Sequence, residues 1–334
     1  MAQVLTVILN WRTAPMTLQA TEAALRAMQG MAGAITIVDN DSGDGSFEAL
    51  VAEVAARGWD RGAVPVRVLQ SGWNGGFGAG NNVGIRAGLP GGARPDYVYI
   101  LNSDAFPAPG AIRALLDHLQ AHPDTGFAGS YIHGEDGVAH RTAFRFPSIA
   151  SELEGAARTG PVSRLLRAHI VALPIPQTTT RVDWLAGASL MMRQDVLDRI
   201  GLFDETFFLY FEETDLCLRA ARAGFPTDYV RESEVMHIGS VSTGMKTWRR
   251  IPAFWLDSRS HYFTKNYGHL YAAAATLAHV AGGVLWRVRR FVQRRDHLDP
   301  PHFLRDLIVH SVTRAGRQQR AGAPSPKDMA RPAA

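Results

Sequence analysis

Tyr97-Val98-Tyr99-Ile100-Leu101-Asn102-Ser103-Asp104 is the stretch on which the fold turns. Its first five residues are apolar or aromatic with no polar alternation, the pattern of a strand buried on both faces. The run stops on a polar triplet, and Ala105-Phe106-Pro107-Ala108-Pro109-Gly110 behind it reads as a turn. A buried strand ending in a carboxylate sets an oxygen ligand on the C-terminal edge of a sheet, where open α/β folds bind their ligands. Asn-Ser-Asp by itself is equally the chemistry of a strand exit and a helix cap, so its neighbours decide its meaning.

Working outward, Val4 to Leu9 is a β-branched run closed by Asn10-Trp11, followed by a helical pattern from Pro15 to Met28. Ile35 to Val38 is a second strand, ending in Asp39-Asn40-Asp41-Ser42-Gly43-Asp44-Gly45-Ser46 and leading into a helix over Phe47 to Arg57. Val64 to Leu69 is a third. Strand and helix alternating at this spacing predict parallel βαβ units, and in a parallel sheet the polar turns after each strand share one edge.

Asn74-Gly75-Gly76-Phe77-Gly78-Ala79-Gly80-Asn81-Asn82 follows the third strand and reads as a loop whose glycines let backbone approach a ligand. It matches neither the dinucleotide fingerprint nor the Walker A pattern, which argues against a dehydrogenase and a P-loop nucleotidase. Further on, the aromatic run Phe207 to Phe211 leads into Glu212-Glu213-Thr214-Asp215-Leu216-Cys217-Leu218-Arg219. Adjacent carboxylates in a helix's first turn, shielded by rings, push one pKa upward and so make a usable general base. Asp215 and Arg219 have the i,i+4 spacing of a structural ion pair, which leaves one of the two glutamates for chemistry.

Taken in order, these motifs resemble those of the inverting family 2 glycosyltransferases, with their GT-A nucleotide-diphospho-sugar transferase fold, an α/β architecture with a mostly parallel central sheet flanked by helices. The likeness is closest to the rhamnosyltransferase-like branch and runs from Val4 to about Tyr267. Trp184-Leu185-x-Gly187-Ala188 and Tyr210-Phe211-Glu212-Glu213-x-Asp215-Leu216 complete the set. The resemblance implies that Asp39 reads the pyrimidine edge, that Asn40, Asn74 and Gly76 line the nucleoside pocket, and that Asn10, Asn102 and Gly187 belong to the nucleotide-sugar site. It implies Asp104 as ligand of a Mg²⁺ or Mn²⁺ ion that holds the diphosphate, with His237 against the metal or diphosphate. Asn102 stands where a two-carboxylate form of the metal motif has its first Asp. Glu213 takes the catalytic-base position where Asp is usual, with Glu212 beside it as the alternative. The implied donor is a dTDP-sugar such as dTDP-L-rhamnose, with UDP-sugars as runner-up. The acceptor is a hydroxyl of a saccharide, soluble or lipid-linked, in surface polysaccharide or glycoconjugate assembly.

The 334 residues, 46% hydrophobic, suffice for a full core. They are expected to divide into a catalytic domain over 1–267, a basic helical segment over 268–314 and a disordered tail over 315–334. A single cysteine, Cys217, excludes internal disulfides, and the absence of a signal-peptide pattern points to the cytoplasm. From Val284 onward there are eleven Lys and Arg against four Asp and Glu, so the basic balance belongs to the C-terminal part. Leu270 to Trp286, running into Arg287, Arg289, Arg290, Arg294 and Arg295, is too short and interrupted to span a bilayer. It suits either an interfacial helix on the anionic inner face of the cell membrane or packing on the core. Thr243 to Arg250 reads as a basic loop, closing over the diphosphate or simply solvated. A sugar-phosphate nucleotidyltransferase would carry a basic, glycine-rich first turn, and Asn10-Trp11-Arg12-Thr13 is not one. A nucleic-acid partner would leave the carboxylate turns unexplained.

Overall fold

A computed structural model describes residues 1–239, 250–293 and 301–320. β1 (Gln3–Asn10), β2 (Ala32–Asp39), β3 (Val66–Gln70) and β4 (Tyr97–Asn102) alternate with α1 (Ala14–Ala27), α2 (Ser46–Ala56) and α3 (Gly76–Ala87). There follow β5 (Ala105–Pro107), α4 (Ala111–Ala121), β6 (Phe127–His133), β7 (Ala143–Phe144), α5 (Ile149–Ala157) and α6 (Gly160–Leu165). The chain continues through β8 (Thr180–Val182), β9 (Trp184–Leu185), β10 (Ser189–Arg193), α7 (Gln194–Ile200), α8 (Glu212–Arg222) and β11 (Thr227–His237). It closes with α9 (Ala253–Tyr267), α10 (His269–Gln293) and α11 (Phe303–Arg320).

The main sheet has the order β3-β2-β1-β4-β10-β6-β11-β5, with β8 also on β11. β1 to β4 are mutually parallel, β10 runs antiparallel between β4 and β6, and β11 is parallel to β6. Asn10 therefore pairs with Asp39, and Leu9 with Asn102, so three of the expected site residues end neighbouring strands at one edge. The end of β11 reaches the same edge through β5, where His237 pairs with Ala105. Ala105–Pro107 was expected as a turn and is instead a three-residue strand at the sheet's margin. A proline is tolerated there because an outermost strand has a row of backbone donors it does not need.

Alternation along β4 divides the core. Tyr99 and Leu101 pack with Leu18, Leu50 and Leu115 from α1, α2 and α4, while Val98 and Ile100 pack on the other face with Ile85, Val196 and Leu216 from α3, α7 and α8. β4 is buried almost throughout, as its unbroken apolar run requires.

The glycine-rich segment corrects the loop expectation: it is the first two turns of α3. Gly76, Gly80 and Gly84 recur every fourth residue and so lie on one helix face. A side chain at Gly80 would meet Leu9 at 2.4 Å, and one at Gly84 would meet Val7 at 2.6 Å. These two glycines bring the helix against the sheet; their close approach is to protein.

The chain divides into two compact units, residues 1–147 with 170–247, and 148–169 with 248–334. α5 and α9 thus belong with the C-terminal helices, in place of the expected boundary at 267. In this second unit Arg259, 2% exposed, lies 2.7 Å from Glu152, which also accepts from His279 Nδ1 at 2.7 Å. Burial favours the neutral acid, but the Arg259 guanidinium and His279 outweigh it and hold the Glu152 carboxyl below its usual range. Gly282 lets α10 approach α5, where an added Cβ would fall 2.6 Å from the Leu153 carbonyl oxygen. α11 runs to Arg320, through the start of the stretch expected to be disordered. Arg294, Arg295, residues 243–249 of the basic loop and 321–334 lie outside the described residues.

In an exposed helix, Gly to Ala adds about 1 kcal/mol. At Gly84 the sign should reverse, because Val7 is buried and stiff about χ1 and cannot give way. Gly84→Ala is expected to lower stability by about 1–3 kcal/mol, as overpacking does. The denaturation midpoint measures it, and an unchanged or raised midpoint contradicts the packing argument.

Candidate active site

Three groups of side chains meet at the C-terminal edge of the sheet. The first starts from Asn10, fully buried, whose side-chain amide donates to Asp39 Oδ1 at 2.7 Å and to Ser42 Oγ at 3.3 Å. Its carbonyl oxygen accepts from Thr17 at 2.6 Å and Thr13 at 3.3 Å. Both donors and both lone pairs are thus used within the protein, so Asn10 positions Asp39. Asp39 also accepts from the Ser42 hydroxyl at 2.6 Å and the Ser42 backbone N–H at 3.1 Å, which leaves acceptor capacity on Oδ2. Asn40 donates to Asn74 Oδ1 at 2.9 Å and to the Gly76 carbonyl at 3.2 Å, and Asn74 Oδ1 also accepts from Gly76 N–H at 3.0 Å. Asn40, Asn74 and Gly76 are one hydrogen-bonded cluster at the start of α3.

The second group lies where β4, β5 and β11 end. His237 Nε2 is 3.0 Å from Asp104 Oδ1 and 3.4 Å from Asn102 Nδ2. The Asp104 carbonyl accepts from Ile238 N–H at 3.1 Å, which fixes the end of β11 against the turn after β4. No set of three or more His, Cys, Asp or Glu among the described residues forms a metal cage. One carboxylate and one imidazole fit a divalent cation that keeps its remaining positions for phosphate oxygens and water, as Mg²⁺ and Mn²⁺ do.

The third group is the glutamate pair. α8 begins at Glu212, and the two residues before it, Tyr210 and Phe211, both have φ of 70°. Bulky residues held in the left-handed region are rare and mark a turn that its surroundings enforce. Glu212 is 2% exposed while Glu213 is half-buried, and each has a buried carboxylate oxygen without a hydrogen-bond partner. Burial, and after it the charge of Glu213, drives the Glu212 carboxyl far above the usual range. Burial pushes Glu213 up to about 7, against hydrogen bonds from its own backbone and from the backbone of Gly187 and Thr214. The two carboxyls lie close enough that charge on one opposes charge on the other. Asp215 is structural, as its spacing indicates: it is fully buried and 2.8 Å from Arg219, which also donates to the carbonyls of Ile200, Gly201 and Leu202.

The groups are joined by backbone. Phe77 N–H donates to the Phe208 carbonyl at 3.0 Å, and a side chain at Gly76 would sit 1.7 Å from that same oxygen. Gly76, at φ 86°, is therefore irreplaceable where the Asn40–Asn74 cluster meets the loop preceding the glutamates. Gly187 lies against the Phe77 ring, which a Cβ would approach to 3.1 Å, and Asn102 N–H donates to the Ala188 carbonyl at 3.0 Å. Every expected site residue thus falls within one connected region. Unassigned in the sequence were Ser42, Thr17 and Asn82. Asn82 receives Phe203 N–H at 3.2 Å and donates to Phe203 O and Glu205, tethering the loop before α8 to α3. A polar residue on the buried face of a helix was the available signal for Asn82.

The family model described as "Glycosyltransferase like family 2" matches residues 2–251. The N-acetylglucosaminyl-diphospho-decaprenol L-rhamnosyltransferase of Mycobacterium tuberculosis is 30% identical over 309 residues, which cover 86% of each chain. Rhamnosyltransferase WbbL of Escherichia coli is 27% identical, over 48% of this chain and 60% of that one. Among solved structures, mannosyltransferase PcManGT from Pyrobaculum calidifontis, in complex with GDP-Man and Mn²⁺, superposes with a TM-score of 0.57 at 14% identity, covering 95% of this chain and 80% of that one. That likeness establishes the shared GT-A fold.

A carboxylate raised in the folded state opposes folding once the pH exceeds its unfolded value, about 4.3 for Glu. The destabilisation grows through pH 7, the value to which Glu213 is raised, and then levels off. Glu213→Gln is therefore expected to raise Tm by a few degrees at pH 8 and to change it little at pH 4. Equal shifts at both pH values, or none at either, contradict the buried-charge assignment.

Proposed function

The chain belongs to the glycosyltransferase-like family 2, and on that premise we propose that it is an inverting L-rhamnosyltransferase. It uses dTDP-L-rhamnose as donor and a hydroxyl of a lipid-diphosphate-linked saccharide as acceptor, at the cytoplasmic face of the membrane, in surface polysaccharide or glycoconjugate assembly. The observation that carries the reading is the Glu212–Glu213 pair, hydrogen-bonded to the Gly187 backbone and tied through Phe77 and Phe208 to the Asn40–Asn74–Gly76 cluster. The choice of sugar and acceptor is supported by the relative in Mycobacterium tuberculosis, whose name specifies both.

In this reading Asp39 offers its remaining acceptor capacity to the pyrimidine N–H, held in place by Asn10 and Ser42. The cluster of Asn40, Asn74 and Gly76 shapes the nucleoside end. Ionised Glu213 accepts the proton of the acceptor hydroxyl as that oxygen bonds to the anomeric carbon. The bond from the anomeric carbon to the diphosphate oxygen breaks, the nucleoside diphosphate leaves with the electron pair, and configuration inverts. Glu212, retaining its proton, keeps a second negative charge away from the base. Asp104 and His237 would hold a Mg²⁺ or Mn²⁺ ion, which neutralises charge on the leaving diphosphate when bound.

A donor screen that detects released nucleoside diphosphate is the direct test, with dTDP-L-rhamnose expected to give the highest turnover. Turnover confined to UDP-sugars and a soluble acceptor would replace this donor assignment. Excess chelator and Asp104→Ala are each expected to abolish nearly all activity, and full turnover in chelator excludes the cation. Glu213→Gln should cut kcat by about 10²–10⁴-fold with donor binding retained. In the unsubstituted enzyme kcat/KM should rise through an acid limb near pH 7, because the protonated base cannot accept the hydroxyl proton. If Glu212→Gln produces the larger loss of kcat, the base is Glu212.

A further inference from the structure

α10 is a 25-residue helix with two opposed apolar faces. One buries Ala275, Gly282, Gly283 and Trp286 and lies against α5, where Gly282 makes its close approach to Leu153. The other carries Leu270, Leu277, Val284, Val288, Phe291 and Val292, which are between 49% and 89% exposed. At about 100° per residue, these six fall in a sector roughly 100° wide along a helix about 37 Å long. Arg287 and Arg289 occupy the two flanks of that sector. They hydrogen-bond to the carbonyls of Gly283 and Arg158 and to the Gln293 amide, none of which neutralises their charge. α10 contains no acidic residue, and no described helix is long and apolar enough to cross a membrane.

We propose that the exposed stripe of α10 is a membrane-docking face that lies in the headgroup–acyl boundary of a bilayer containing anionic lipid. The aliphatic side chains and Phe291 enter the boundary, and Arg287 and Arg289 meet lipid phosphates on either side. Charge decides for a bilayer over a second copy of the chain, since a facing α10 would present arginines and no carboxylate. The inference rests on the functional reading above, in which the acceptor is carried by a lipid and must be met at a bilayer surface.

The full chain would be sedimented with vesicles of equal parts phosphatidylglycerol and phosphatidylcholine, and with vesicles of phosphatidylcholine alone. Binding is expected to the anionic vesicles, weakened by salt and by Arg287→Gln with Arg289→Gln. The triple variant Leu277→Gln, Val288→Gln, Phe291→Gln should reduce the bound fraction about tenfold or more, with circular dichroism and thermal midpoint unchanged. Its transfer to a water-soluble, short-chain acceptor should equal that of the unsubstituted chain. Equal binding to both vesicle types, or equal binding of the triple variant and the unsubstituted chain, overturns the docking face. So does light scattering that shows a dimer for the unsubstituted chain and a monomer for the triple variant. Absence of any transfer by the unsubstituted chain to the soluble acceptor counts against the functional reading alone, because sedimentation does not depend on catalysis.

Discussion

The Phe208 carbonyl is the point on which the candidate site depends. It accepts the Phe77 N–H at the start of α3, and it approaches Gly76 so closely that no side chain fits there. Through that one contact the helix bearing the Asn40–Asn74 cluster and the loop delivering the glutamates become a single object. Asn82 repeats the tether one and a half turns further along α3 by bonding both the N–H and the carbonyl of Phe203. With both ends of the loop held, Tyr210 and Phe211 are kept in left-handed backbone. Left unsupported, such residues would relax at a gain of about 1–3 kcal/mol each, so the packing over-determines them.

The electrostatics follow from where that loop ends. At a helix N-terminus the backbone dipoles favour negative charge, by about 0.3–1 kcal/mol at exposed sites. Burial opposes them at both glutamates, and at Glu212 the charge of Glu213 adds to it, so both carboxyls are raised above the usual range. The two residues differ in exposure: Glu212 is buried and Glu213 half-buried. Across the sheet edge, Asp104 is held by its backbone to the end of β11 and by its side chain to His237. The displacement proposed for this chain needs a general base at the acceptor hydroxyl and charge neutralisation at the leaving diphosphate.

The second unit is organised by a different device. Arg259, Glu152 and His279 place three titratable side chains in a mostly buried contact. Removing one partner from such a set typically costs about 3–5 kcal/mol, because it leaves an uncompensated charge. The cluster draws Ser148–His169 out of the middle of the chain and into the company of the C-terminal helices.

Period and punctuation were enough to read the first four strands, the helix after each of the first two, the shared polar edge and the first turn of α8, because each is a local pattern repeated within a short window. The same is true of Asp215 and Arg219, whose pairing follows from helical spacing alone. Motif order pointed to the family and so to a set of candidate site residues, which the fold brings together at one edge of the sheet. What no window contains is the partner across the fold. The glycines of α3 read as a ligand loop because their true neighbours, Leu9, Val7 and Phe208, are distant in sequence. Ala105–Pro107 read as a turn because its pairing with Val235 to His237 lies about 130 residues away along the chain. The domain boundary was misplaced because Glu152 meets Arg259 across 107 residues. Residue type and spacing are set by local backbone geometry and are legible in one dimension. Close approach, burial and the resulting pKa values arise from contacts between distant segments, and only the tertiary structure decides them.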